Sequence, residues 1–176
     1  MERSEAREFL RRHGVTHIVC VTAAQTKFSK DGLPGSNGLE PALRPALTYC
    51  LHLFSDKPDD PRFMRCFDTI HEFISDALAA SEQNRVLVHC QQGQSRSAGV
   101  VTGYLMRERN IGFDQAFEMV RAARPQVHEH MFMFESQLRG MQRQQEEAAR
   151  GKGADDHSGV ATTTTAATAA AEPGPA

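Results

Sequence analysis

Residues 89–97 read HCQQGQSRS and place a thiol, Cys90, where an apolar strand stops, with a guanidinium, Arg96, closing the loop that follows. The run RVLVHC (85–90) leads in, and a helical pattern from Ser97 to Arg109 leads out. A strand-to-helix loop gathers unpaired N–H groups and the positive end of a helix dipole. Curled around that point, it forms a nest for an anion. Gly93 allows the tight turn without a Cβ in the way. Arg96 supplies a planar, permanently charged fork that grips two oxygens of a phosphate. Together with the amides of Gln91, Gln92, Gly93, Gln94 and Ser95, it shapes a cup for a tetrahedral dianion. The same field lowers the Cys90 thiol from the ~8.5 of free cysteine. A thiolate facing bound phosphorus suits nucleophilic displacement through a phosphocysteine. His89 is expected to fix the cysteine's backbone through hydrogen bonds. The Ser97 hydroxyl is placed to donate to the sulfur and help it leave in the second step.

The departing oxygen needs a proton, so a general acid must come from elsewhere. The turn SDKPDD offers Asp56, Asp59 and Asp60. Asp60 reads as the cap of the next helix and Asp59 as turn polarity. Asp56 comes first after the strand TYCLHLF (48–54) and is the candidate acid. It reaches the site if that strand runs parallel beside RVLVHC, because ligands collect beyond the carboxyl ends of such strands.

The elements that must do this positioning are legible in outline. Ser4 can cap a helix, EAREFLRRH, that ends at Gly14. VTHIVCVT (15–22) is a β-branched strand, followed by a Gly/Pro/Asn-rich loop to about residue 45. Pro61, at a first helical position, opens a helix with the stripe Phe63, Phe67, Ile70, Ile74, Ala77, Leu78. Val101, Tyr104 and Leu105 share a face of the helix after the loop. Asp114 caps another helix through Arg121, and a last helix runs from about His130 to Gln145. The MFMF stretch before it reads as core. Strand–helix alternation predicts an α/β fold with a small, mostly parallel central sheet flanked by helices. Residues 1–145 are expected to form the domain. Residues 146–176 have little to bury and are expected to be a disordered tail.

At 176 residues, 40% hydrophobic and 24% charged, the chain suits one soluble domain, and its net charge of −2 argues against nucleic acid or an anionic membrane as partner. The N-terminus, MERSEAREFLRRHG, has no apolar signal core. No apolar run approaches the ~20 residues that span a bilayer. The four cysteines, Cys20, Cys50, Cys66 and Cys90, lack zinc-like spacing, so no metal or other cofactor is expected. Apart from Cys90 they read as packed thiols of a cytoplasmic or nuclear protein.

The loop HCQQGQSRS resembles the His-Cys-x5-Arg-Ser/Thr signature of dual-specificity protein phosphatases, members of the cysteine-dependent tyrosine phosphatase superfamily. GVTHIVCVT, YCLHLFSD, FDTIHEFISDALAASEQNRVLVHC and GYLMRERNIGFDQAFEMVRAARPQV resemble the family's flanking segments, over roughly residues 4 to 140. The resemblance implies a protein-tyrosine-phosphatase-like fold with Cys90 as nucleophile, Arg96 as phosphate clamp, Asp56 as acid and then base, and Ser97 as the hydroxyl serving the thiolate. It implies phosphotyrosine and phosphoserine/phosphothreonine proteins as substrates, and protein kinases as candidate partners. The chain departs from the family in two places. It starts almost at the first helix, so either the true N-terminus is missing or the sheet is short on one edge, without the family's N-terminal edge strands. It also carries HEHMFMF where the family has a Pro-Asn pair, which leaves open how the neighbouring helix is tied to the catalytic loop. Two other readings stand beside this one: a phosphoprotein-binding module without turnover, and a rhodanese-like sulfur transferase.

Overall fold

Three runs of β-branched and apolar residues pair side by side. They are β1 (His17–Thr22), β2 (Thr48–Leu53) and β3 (Val86–His89), all parallel, in the order β2-β1-β3. The computed structural model describes residues 3–23, 47–128 and 132–154. The Gly/Pro/Asn-rich loop falls almost wholly outside these residues, as do 129–131 and everything beyond 154. The register sets His17 opposite both Thr48 and Val86, and Cys20 opposite His89. Strand β2 therefore does not lie beside β3, as the placement of Asp56 had assumed; β1 runs between them. The carboxyl ends still open on one rim because every pair is parallel.

Five helices complete the described fold: α1 (Arg3–Arg12), α2 (Pro61–Ala80), α3 (Arg96–Arg109), α4 (Phe113–Ala123) and α5 (Glu135–Ala154). The observed layer is the small parallel α/β sheet with flanking helices that the strand–helix alternation predicted. Several boundaries moved, each for a local reason. Helix α1 begins ahead of Ser4, which therefore does not cap it. Gly112, not Asp114, precedes α4; Asp114 sits in the first turn, where its carboxylate takes two hydrogen bonds from Arg139, at 2.6 and 3.1 Å. Helix α5 starts at Glu135 rather than near His130, and continues through 146–154 where disorder was expected. Contacts divide the chain into Met1–Arg143 and Gln144–Ala176. The described part of the second unit is the continuation of α5.

The core is built largely from aromatic rings. Phe54, Phe63 and Phe134 are fully buried, with ring centroids 4.6 to 5.6 Å apart. Phe54 directly precedes the turn that carries Asp56, so this cluster anchors the acid turn, the start of α2 and the approach to α5 at one point. On α2, Phe63, Phe67, Ile70, Ile74 and Ala77 face inward as the helical period requires, whereas Leu78, at the edge of the stripe, is exposed. On α3 the first turn (Arg96, Ser97, Ala98, Gly99) and Val100, Thr102, Gly103 and Met106 are buried, while Val101, Tyr104 and Leu105 pack at the core's margin. Phe132 and Phe134 are buried, as expected of the MFMF stretch.

Helix α3 comes close to its neighbours because it carries glycine at the contact. A Cβ on Gly103 would stand 2.6 Å from Phe67 Cε2 and 2.9 Å from Leu138 Cδ2. Glycine to alanine inside a helix ordinarily gains up to ~1 kcal/mol. Here overpacking a filled core costs about 1–3 kcal/mol, so the clash wins. Gly103→Ala should lower stability, read as a lower midpoint in urea at an unchanged slope.

Candidate active site

The loop 90–95 leaves β3 at His89 and enters α3 at Arg96. Its closure depends on Gly93, whose φ of +70° lies in the left-handed region. The Cys90 sulfur sits inside the turn. It accepts hydrogen bonds from the Gly93 amide at 3.2 Å and from the Ser97 hydroxyl at 3.3 Å. Burial pushes this thiol up. Hydrogen bonds from the Ser97 hydroxyl and from the amides of Ser97, Gly93 and Gln92 more than offset that, and the thiol lies below its ordinary value. The other cysteines behave oppositely: burial raises Cys20 and Cys66 to about 11 and raises Cys50 as well. One thiol of the four is therefore prepared to ionise.

His89 reaches the Cys90 carbonyl through Nδ1 at 3.4 Å, and burial lowers its pKa, which keeps the ring neutral. Arg96 is buried, and its Nε makes no hydrogen bond among the described residues. A buried unsatisfied donor is costly and points to a ligand that satisfies it. The Asp56 carboxylate lies 3.8 Å from that nitrogen. Strand β2 thus brings Asp56 to the cup although β1 intervenes. Around the loop, Gln91 and Gln92 are exposed and Ser95 is buried, its hydroxyl accepting from the Met133 amide at 3.3 Å. That bond, from a main-chain amide to a side-chain hydroxyl, ties the segment after the Arg124–Pro125 turn to the loop where the Pro-Asn pair is missing.

The three aspartates of the turn separate cleanly. Asp60 is buried at the N-terminus of α2 and accepts from the Arg62 guanidinium at 2.7 and 3.0 Å, from the Arg62 amide, and from the amide and hydroxyl of Ser55. The Arg62 bonds, set against burial, hold its carboxyl far below the ordinary range, so it cannot deliver a proton near neutral pH. Asp59 is engaged by the Ser136 hydroxyl at 2.5 Å and has a φ of 58°. Asp56 alone of the three faces Arg96.

Asp60 also predicts a pH-dependent stability. Its folded pKa is depressed, so its contribution is complete above the unfolded value of ~3.9 and drains as pH falls below it. Asp60→Ala should cost about 1–2 kcal/mol at pH 6 through the lost cap. The gap to the parent protein should narrow at pH 3, with urea melts at both pH values as the check.

Sequence reasoning missed Arg124. Its guanidinium donates to the carbonyls of Gly93 and Gln92 at 2.7 and 3.2 Å from behind the loop. Nothing in local spacing marks it, because both helices α3 and α4 lie between the contacting residues. Among the described residues no cluster of three or more His, Cys, Asp or Glu is placed to hold a metal.

The family profile described as dual specificity phosphatase, catalytic domain, matches residues 2–144. Dual specificity protein phosphatase 19 of Mus musculus is 33% identical over 120 residues, covering 68% of this chain and 47% of that protein. Dual specificity protein phosphatase 1B of Arabidopsis thaliana is 30% identical over 122 residues, covering 69% and 63%. The chain thus spans about half to three-fifths of these relatives' length. The crystal structure of human DUSP28 superposes with a TM-score of 0.63 at 29% identity, covering 81% of this chain and 84% of that one, so the fold is protein-tyrosine-phosphatase-like. A loop built around a lowered thiol, a matching profile over most of the chain and a shared fold agree: the chain belongs to the dual specificity phosphatase family, which it joins through the catalytic domain.

Proposed function

We propose that this domain is a protein phosphatase hydrolysing phosphotyrosine and phosphoserine/phosphothreonine in protein substrates through a phosphocysteine. The observation that carries this reading is the sulfur of Cys90 receiving two hydrogen bonds inside a loop whose closing arginine lies 3.8 Å from a carboxylate. Arg96 and the amides of Gln91 to Ser95 hold the phosphate oxygens. The Cys90 thiolate attacks phosphorus while Asp56 gives its proton to the departing side-chain oxygen. In the second step Asp56 takes a proton from water, whose oxygen displaces the sulfur. The Ser97 hydroxyl supports the thiolate as it reforms. The positive charge this needs is already supplied by Arg96 and the amides, so the scheme uses no cofactor.

The loop positions between Cys90 and Arg96 carry no Lys or Arg. An inositol polyphosphate would need cations there, so a neutral rim favours a single phosphate on a protein side chain. A thiolate nucleophile also calls for a reducing compartment, the cytoplasm or nucleus. No helix among the described residues is long and apolar enough to cross a membrane. Protein kinases, themselves phosphoproteins, are candidate substrates and partners. Neither a binding module nor a sulfur transferase has use for a proton donor at Asp56.

A panel of phosphotyrosyl, phosphoseryl and phosphothreonyl peptides with a phosphoinositide, run beside Cys90→Ser, tests the assignment. Turnover of the peptides that disappears in the variant supports it. Preference for the phosphoinositide, or thiosulfate:cyanide transfer exceeding phosphate release, overturns it.

A further inference from the structure

The trans peptide group points its C=O and N–H in opposite directions. Holding one end therefore aims the other. Arg124 Nη2 donates to the Gln92 carbonyl at 3.2 Å, and the N–H of that same peptide, Gly93 N, donates to the Cys90 sulfur at 3.2 Å on the opposite side. Arg124 Nε holds the next carbonyl, Gly93 O, at 2.7 Å, so the Gln94 amide of that peptide is turned to the opposite side. A third observation comes from Gly93 itself. A Cβ there would fall 2.7 Å from Arg124 Nη2, and the φ of +70° already disfavours a side chain. Glycine at 93 and arginine at 124 are therefore fitted to one another.

We propose that Arg124 is a positioning residue for the phosphate loop, holding the outer carbonyls of Gln92 and Gly93 so that the amides between them face the Cys90 sulfur and the bound oxyanion. It touches neither. The proposal rests on the reading of this loop as a phosphate cup, but its first readout does not depend on turnover. Without the outer grip, the two peptide planes are free to rotate and their N–H groups lose alignment with the sulfur. Because Arg124 is exposed, its replacement removes no core contact.

The test compares the parent protein with Arg124→Gln and Arg124→Lys. The ionisation of Cys90 is followed by the pH dependence of iodoacetamide alkylation, with peptide mapping to assign the label. The expected result is a rise of about one unit in the Cys90 value for Arg124→Gln, slowing alkylation on the acid side about tenfold. Arg124→Lys, which restores a single donor, should recover part of this. On p-nitrophenyl phosphate, kcat should fall, with a smaller rise in KM as the same amides loosen on the phosphate oxygens. An unaltered Cys90 ionisation in a folded Arg124→Gln protein overturns the proposal. So does a rise in KM alone, which would make Arg124 a substrate contact. If the parent protein turns over no phosphate ester, the functional reading fails while the alkylation shift still decides the role of Arg124.

Discussion

Cys90→Ser should leave the fold and the affinity for inorganic phosphate in place, and should lower turnover of a phosphotyrosyl peptide by about 10⁴-fold or more. The reason lies in what the loop is built to stabilise. Its donors, the Gly93 amide and the Ser97 hydroxyl, converge on the atom at position 90, and together with the amides of Ser97 and Gln92 they more than offset the burial that raises the thiol. A serine hydroxyl in the same place is a far weaker acid and stays neutral under the same donors. The cup itself does not depend on the sulfur, since Arg96 and the loop amides are supplied by the backbone turn and the start of α3. Phosphate binding by calorimetry should therefore survive while product release does not. Turnover retained in the serine variant would remove the nucleophile from the mechanism. Loss of phosphate affinity along with turnover would show that the loop had collapsed, and the variant would then say nothing about chemistry at sulfur.

What the sequence disclosed divides along the range of the interactions. The geometry of the loop from His89 to Ser97 was legible because strand end, glycine, arginine and helix start are consecutive, so the turn that brings Gly93 N and Ser97 Oγ to the Cys90 sulfur is local. Helix α2 was legible for the same reason, with Asp60 capping and Pro61 opening it. The order of the strands was not, since nothing in TYCLHL or VLVH says that both pair with β1 and not with each other. The tie between the loop and the chain on either side of Pro125 was hidden as well. It is made by a main-chain amide, Met133 N, which carries no side-chain signature, and by Arg124, whose exposed position gives no hydrophobic pattern to read. The end of α5 was misjudged because a polar helix shows little of the apolar stripe by which helices are recognised.

Asp56→Asn should slow the first chemical step by about 10²–10⁴ for a phosphotyrosyl or phosphoseryl peptide, and much less for p-nitrophenyl phosphate. The contrast follows from the leaving group. An alkoxide or phenoxide is a strong base and gains most from a proton in the transition state, whereas nitrophenolate departs readily without one. The burst of nitrophenol in rapid mixing should therefore persist in the variant. The neighbouring carboxylates supply the control. Asp60 is held ionised by Arg62 and Ser55, so it has no proton to give. Asp59 is bound to Ser136, away from Arg96 as far as its hydrogen bonding goes, and asparagine tolerates its left-handed backbone. Asp59→Asn should then stay within a few-fold of the parent protein in the same assays, about the scatter of a lost exposed contact. If Asp59→Asn produces the large leaving-group-dependent loss and Asp56→Asn does not, the proton comes from Asp59, and the 3.8 Å approach of Asp56 to Arg96 is an ion pair with no part in proton transfer.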